Sequence, residues 1–357
     1  MTATKKTSLS VLKVLKVSFT IVGTIIGAGF ASGKEVSTFL GVYGNRTYLM
    51  CLIFGVSFCL GTIYFSSLNK NSLSPFIKKG INVCIFLSEF ISIIAMMAGL
   101  RSIFDMIFVN NTPYYISLVL IFLIIITGFN GLTSTNLLLV PILIVSLVLF
   151  GIIGIKTAPN YQLITTKCVP IFSIMSLPLY IGMNLFSVYP IALEFSTYQT
   201  KKEKIASSII ASILLTTLLF CFCFTILNAS SSCVNSELPL IIFILDTVPQ
   251  FVVLSIVSLA VAIVTTIISD GFVIHSLIKA KLKKADSFIL LLLFVVAFLI
   301  SRLGFSNIVE KFYPITGIIG TLFTILLIIR GLRNKFTQTK QKFLFLTNRS
   351  KNSLNTK

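Results

Sequence analysis

The sequence predicts an all-α polytopic membrane protein of ten spans. Its first and sixth spans are broken, and its halves are related as an inverted five-plus-five repeat. Three observations carry that prediction. Of the 357 residues, 56% are hydrophobic and only 11% charged, with mean hydropathy +1.01, a balance that leaves most of the surface facing something other than water. Apolar runs of about 20 residues, the length a helix needs to cross a bilayer, recur from end to end. Two of those runs, five apart in the order, are interrupted by residues that helices avoid.

The first span, near 14–40, contains Gly23-Thr-Ile-Ile-Gly-Ala-Gly-Phe-Ala-Ser-Gly33, followed by Lys34 and Glu35. Glycine costs about 1 kcal/mol relative to alanine at a helical position, so a break is expected here. Backbone freed inside a bilayer must find partners in protein or in a polar cavity. The N-terminus resembles a secretory signal ending at Ala28-Gly-Phe-Ala31, but its glycines lie within the apolar run, so it reads as an uncleaved span. Spans two to five fall near 47–68, 80–102, 113–129 and 134–156. The sixth, near 170–195, is interrupted by Pro178-Leu-Tyr-Ile-Gly-Met-Asn184, with Pro190 beyond; proline removes a backbone donor and clashes with the preceding turn. The remaining spans fall near 204–228, 250–280, 286–303 and 313–332. Glu237–Thr247 is apolar but short and carries Pro239, with Pro249 just beyond, so it fits a re-entrant or surface helix. The chain thus divides into an N-terminal segment 1–12, a transmembrane domain 13–332 and a basic, mobile tail 333–357.

Net charge is +19, yet its placement argues for topology rather than nucleic acid. Twenty-two of the 29 basic residues cluster at Lys5–Lys16, Lys70–Lys79, Lys201–Lys204, Lys279–Lys284 and from Arg330 onward, all on one side of the ten-span layout. That asymmetry puts both termini in the cytoplasm, and the basic excess suits contact with anionic lipid. The seven cysteines are scattered without metal-ligand spacing and read as buried filler.

Gly27-Ala-Gly-Phe-Ala-Ser-Gly-Lys34 fails as a phosphate loop, because Ala28 and Glu35 stand where glycine and Ser or Thr are required. A dinucleotide fingerprint fails at Ser32. Gly23-xxx-Gly27 also fits a plain helix-packing motif. Glu89 lies midway along span three in Ser88-Glu89-Phe-Ile-Ser92. A carboxylate there costs about 2.5–3.5 kcal/mol to insert, so it must face the bundle interior and find a partner. It reads as a proton carrier, cation ligand, solute contact or structural hydrogen-bond acceptor. Span eight carries Ala262-Ile-Val-Thr265-Thr266 and Ser269-Asp270; such hydroxyls either bond back along their own helix or serve as oxygen ligands for a hard cation. The lone His275 reads as interfacial, and Lys34 and Glu35 as outer-vestibule residues that pair with other charges. No nucleophile and base are brought together, so no catalytic residue is assigned and no enzyme is expected.

The run Ser18-Phe-Thr-Ile-Val-Gly-Thr-Ile-Ile-Gly-Ala-Gly-Phe-Ala-Ser-Gly-Lys-Glu35 resembles the opening of the YkvI family of bacterial membrane proteins. That family is similar to the amino acid–polyamine–organocation superfamily, with its LeuT-type fold. The resemblance implies a secondary transporter of an amino acid or similar small solute, without cofactor, in a bacterial plasma membrane. It implies one sodium as coupling ion, held by Gly23 and Ile26 ahead of the break and by Ala262, Thr265 and Thr266 on span eight. Phe30 replaces the asparagine that serves a second sodium in neurotransmitter-type relatives. The solute's charged ends would lie against Gly27, Ala28, Gly29, Phe30, Ala31, Ser32 and Gly33, against Tyr180, Ile181, Gly182 and Asn184, and near Glu89. The rival readings are a proton-coupled carrier using Glu89, and a ligand-sensing membrane subunit of the kind that acts in spore germination. No nucleic-acid partner is expected; protein partners are left open.

Overall fold

The computed structural model describes residues 10–68, 75–157, 170–227, 233, 236, 238–282 and 286–354, with no strand among them. Residues 1–9, Cys168, and Lys70, Lys167, Lys283 and Lys284 lie outside the described residues. The helices are α1 Val11–Ile25, α2 Ala28–Ala31, α3 Thr47–Ser67, α4 Pro75–Ile107, α5 Thr112–Ile126 and α6 Phe129–Thr157. After them come α7 Pro170–Tyr198, α8 Lys201–Leu227, α9 Pro239–Thr247, α10 Val252–Lys279, α11 Asp286–Ile300 and α12 Phe305–Leu354. A π-helical stretch, Val36–Leu40, and a 3-10 stretch, Gly41–Arg46, lead from α2 into α3.

Among the described residues, eight helical segments are long and apolar enough to cross a membrane unbroken. The other two of the ten expected passes are α1, cut short by the break, and α5, with 15 residues each. At about 1.5 Å per residue neither spans the roughly 30 Å hydrocarbon core alone. Large apolar side chains such as Val56, Leu138, Val145 and Leu322 point outward, as a lipid-facing surface requires. This is a multi-pass membrane protein.

The packing follows the five-plus-five repeat. If each helix of the first half is exchanged for its equivalent in the second (α1 for α7, α3 for α8, α4 for α10, α5 for α11, α6 for α12), most main contacts map onto one another, the extensive α6–α8 packing being the exception. α1 packs on α6 as α7 packs on α12; α3 packs on α7 as α8 packs on α1; α5 packs on α10 as α11 packs on α4. The α4–α10, α3–α8 and α1–α7 contacts map onto themselves.

Between membrane helices no aqueous driving force operates, so small residues set the close approaches. Gly151 and Gly154 of α6 lie against Cys221 and Thr225 of α8, and Gly317 and Gly320 of α12 lie against Leu179 and Gly182 of α7. The thiols of Cys51 and Cys223 meet at 3.4 Å between α3 and α8, buried.

Two expectations are corrected here. The sixth pass does not unwind at Tyr180–Asn184: α7 is helical from Pro170 to Tyr198, with Pro178 and Pro190 inside it. Side chains meet its carbonyls instead. Thr321 Oγ1 donates to Pro178 O at 2.9 Å, and Asn184 Nδ2 donates to Tyr180 O at 2.7 Å. These bonds tie the stretch to α12 and to its own next turn; the carbonyl that Pro178 leaves without an amide donor is that of Ile174, one turn earlier, and the helix continues past it. The tail, expected to be mobile, continues α12 as helix to Leu354; no proline or further glycine follows Gly331 to stop it. The short helix expected at Glu237–Thr247 is present as Pro239–Thr247, packed on α8 and α10.

Candidate functional site

The first pass breaks as the glycines require. Ile26, with φ −82° and ψ 78°, ends α1, and its amide still donates to Val22 O at 2.9 Å. The next amide, Gly27 N, turns to Ile25 O at 2.9 Å rather than to Gly23 O. The Gly23 carbonyl therefore lacks its helical donor. Thr266 Oγ1 of α10 donates to it at 3.2 Å, which joins the break to the eighth pass inside the bundle. Chain direction is recovered at Gly33, whose φ of +83° favours glycine; Ser37 N then donates to Gly33 O at 3.0 Å as the π-helical stretch begins.

Beside this junction lies a cavity of about 40 Å3. By the measure in which one water needs about 10–15 Å3, it holds an ion or a few waters. Thr24, Gly27 and Glu35 line it from the broken pass, Ser88, Ser92 and Met96 from α4, and Thr266 from α10. Met183, Asn184 and Ser187 line it from α7, and Tyr313 and Thr316 from α12.

The residues expected to hold the coupling ion divide. Gly23 and Thr266 are brought together, and Ile26 caps α1 beside them. Thr265 Oγ1 is turned back on its own helix, donating to Val261 O at 3.1 Å and Ala262 O at 2.9 Å, so Ala262 and Thr265 face each other rather than the break. Gly23 is also a packing glycine: a Cβ there would collide with Asn136 and Val140 of α6.

The residues expected around the solute divide as well. Gly27 and Asn184 line the cavity. Gly29 lies against the Glu35 carboxyl, and the Tyr180 hydroxyl lies beside the same carboxyl. Phe30 packs edge-on against Phe222 with ring centroids 5.4 Å apart, and Ala31 is fully buried. Ser32 O accepts from Leu240 N at 2.8 Å, and Gly33 lies against Ile226 of α8. Ala28 opens the short α2. Gly182 is a crossing point against Thr321 and Gly320 of α12, and Ile181 packs at the edge of the core. Glu89 is buried, and what adjoins it is another carboxyl, Asp270 of α10.

Lys34 meets another charge, as expected, and among the described residues Glu35 does not. Lys34 reaches Glu310 of α12 at 2.8 Å and Ser236 O at 3.3 Å, whereas Glu35 turns inward to the cavity. Successive residues of a helical turn point about 100° apart, so one faces the α12 carboxylate and the other the cavity. His275 Nε2 meets Asp286 Oδ2 at 3.2 Å, across the α10–α11 connection. Sequence reasoning missed Thr24, Asn136, Ser187, Tyr313 and Thr316. The one available signal was Tyr313 and Thr316 spaced three apart at the start of the tenth span.

No protein-family model matches the chain. The uncharacterized protein YyaD of Bacillus subtilis (strain 168) is 22% identical over 334 residues, 88% of this chain and 96% of YyaD. Among solved structures, the chain is similar to Mhp1, a nucleobase-cation-symport-1 family transporter in a closed conformation with bromovinylhydantoin bound. The TM-score is 0.57, covering 85% of this chain and 74% of Mhp1 at 13% identity. At that identity the likeness is one of architecture. With the repeat-related packing and the broken first pass, it gives the chain the LeuT-type fold of two inverted five-helix repeats.

Proposed function

We propose that the protein is a secondary transporter that carries a small solute, an amino acid or a compound of similar size, together with sodium by alternating access. The observation that carries this reading is the contact between Gly23 O and Thr266 Oγ1 at 3.2 Å. A carbonyl released by a helix break and a hydroxyl from another pass are the oxygen donors a hard cation selects. When sodium enters, the Thr266 hydroxyl turns its lone pairs toward it in place of donating to the carbonyl. The ion then ties α10 to the break, and so links the two repeats.

The neighbouring cavity holds the solute. Thr24, Ser92, Asn184 and Thr316 offer hydroxyls and an amide, and Glu35 offers a carboxyl for a cationic end of the solute. At about 40 Å3 the cavity is smaller than an amino acid, so loading requires the walls to part. Lys34–Glu310 is a contact that must separate on one side. The positive-inside pattern orients that side outward in a bacterial plasma membrane with both termini in the cytoplasm. The YkvI-like signature fits the same reading. A carrier, not an enzyme, also accords with a described structural neighbour that is a transporter.

The test is thermal unfolding of the purified protein in sodium chloride against choline chloride, followed by uptake of labelled amino acids into proteoliposomes with and without a sodium gradient. Sodium-specific stabilisation and gradient-driven uptake are expected. Equal unfolding in the two salts, with uptake indifferent to sodium, would sink the sodium assignment.

A further inference from the structure

Glu89 of α4 and Asp270 of α10 are each 1% exposed, and their carboxyls adjoin. Glu89 Oε1 and Oε2 and Asp270 Oδ2 have no hydrogen-bond donor. Ionised carboxylates only accept, so as carboxylates the two groups are acceptors facing acceptors, with no donor between them. Isolated buried charge of this kind costs several kcal/mol per ion. We propose that the pair is a proton-binding site, with one proton shared between the two carboxyls at the edge of the solute cavity. The proton supplies the missing donor, Glu89 O–H to Asp270 or the reverse, and removes one of two like charges.

The surroundings offer no other way to neutralise the pair. From the elements packed on it, the titratable groups are Glu35 of the broken pass, Tyr180 of α7, Tyr313 of α12 and Tyr114 of α5. None is basic, and the Tyr114 hydroxyl donates to Met97 O at 3.3 Å. α11 brings Asp286, held by His275 of α10; α9 brings Asp246, which is exposed. Of the basic groups on these elements, Lys34 is engaged with Glu310, Arg101 with Asp105 and Arg302 over the Phe298 ring; Lys78, Lys79, Lys156, Lys279 and Lys311 are exposed, and Lys13, Lys16 and Arg330 lie near the ends of their passes, away from the buried pair. A transition-metal ion fits poorly, since among the described residues no three His, Cys, Asp or Glu side chains form a metal-holding group; sodium is separated from the proton by the experiment below.

The location connects this proton to the cavity. Asp270 lies one helical turn from Thr266, and Glu89 is flanked by the cavity residues Ser88 and Ser92. Tyr313 lines the cavity and lies near Glu35, Glu89 and Asp270 together. The proposal goes beyond sodium coupling and does not require it.

Infrared difference spectra of the full-length protein in lipid nanodiscs, recorded between alkaline and acidic sodium-free choline buffers, read the carbonyl stretch of a protonated buried carboxyl. In a Glu35→Gln background, which removes the carbonyl band of the other buried cavity carboxyl, a band shifted in heavy water is expected from the shared proton, and the wild type should show it beside the Glu35 band. Glu89→Gln or Asp270→Asn should each move or remove it, and the double substitution should abolish it while leaving the Glu35 band of the wild-type background in place. The proposal is overturned if the wild type shows no band at any pH, a measurement that needs no variant to fold. It is overturned equally if the only band is the one that Glu35→Gln removes, if the Glu89→Gln/Asp270→Asn variant keeps every band, or if sodium abolishes the pair's band at constant pH, which would make sodium the occupant. No solute or flux is involved, so failure here leaves the carrier reading standing, and failed uptake leaves this proposal standing.

Discussion

Lys34 Nζ lies 2.8 Å from Glu310 Oε1, and the two ends of this ion pair sit in different surroundings: the Lys34 side chain is 6% exposed, that of Glu310 51%. The lysine carries a buried charge on the segment after the break, and a half-exposed carboxylate on α12 answers it. Such a pair suits a contact that must open, because water can replace the outer partner at modest cost. Glu310→Gln should lower stability by only about 1 kcal/mol. Amide exchange over residues 29–35 should rise several-fold, since the segment loses its tie to α12. Hydrogen-exchange mass spectrometry checks this; unchanged exchange would show that the ion pair does not hold the segment.

The Thr266 hydroxyl should be needed, and its methyl group should not. Thr266→Ser keeps an oxygen opposite Gly23 O and should retain the sodium-dependent rise in melting temperature. Thr266→Ala should weaken sodium binding about tenfold, equivalent to about 1.4 kcal/mol. Titrating the melting temperature with sodium chloride separates the two, and an alanine variant that responds like wild type would remove Thr266 from the ion site.

Gly23 has no room for a side chain. A Cβ would strike Asn136 Oδ1 and lie 2.9 Å from Val140 Cγ2. Gly23→Ala should cost about 1–3 kcal/mol through overpacking. Gly80→Ala in α4, where nothing lies within 4 Å, should be neutral or stabilising by about 0.5–1 kcal/mol from reduced backbone freedom. Thermal unfolding of the two variants side by side tests whether the loss arises from packing rather than from helix propensity.

A similar comparison distinguishes packing from solute binding at Gly182. Its Cβ would meet Thr321 of α12, so Gly182→Ala should destabilise the α7–α12 crossing by about 1–3 kcal/mol. Asn184→Ala, which loses a cavity-lining amide and its bond to Tyr180 O, should cost about 1 kcal/mol of stability and also abolish solute-dependent stabilisation. Unfolding with and without transported amino acids reads both effects.

Hydropathy made the passes legible because each is an average over some 20 residues, and such averages survive local irregularity. The break in the first pass was legible for the opposite reason, since four glycines in eleven residues leave few alternatives. The sixth pass misled because a proline costs a membrane helix one backbone bond and a local clash without ending it, and α7 runs unbroken through Pro178 and Pro190. That Lys34 meets a charge while Glu35 turns inward was hidden because neighbours in sequence face different elements on a helical turn. Asp270 was visible as a residue but not as the partner of Glu89, since only the α4–α10 contact supplies that pairing.

The bond from Leu240 N to Ser32 O, 2.8 Å long, has a property that side-chain contacts lack. Its atoms are common to every amino acid but proline at the donor, so substitution at either position leaves it intact. The short helix α9 and the stretch beyond the first break are thereby fastened into one mechanical part whose joint is written in no residue identity. Two chains could diverge to 22% identity, as this one and YyaD have, and still inherit the same hinge line. A search for covarying residues would pass over that coupling, while Leu240→Pro would sever it with a single change.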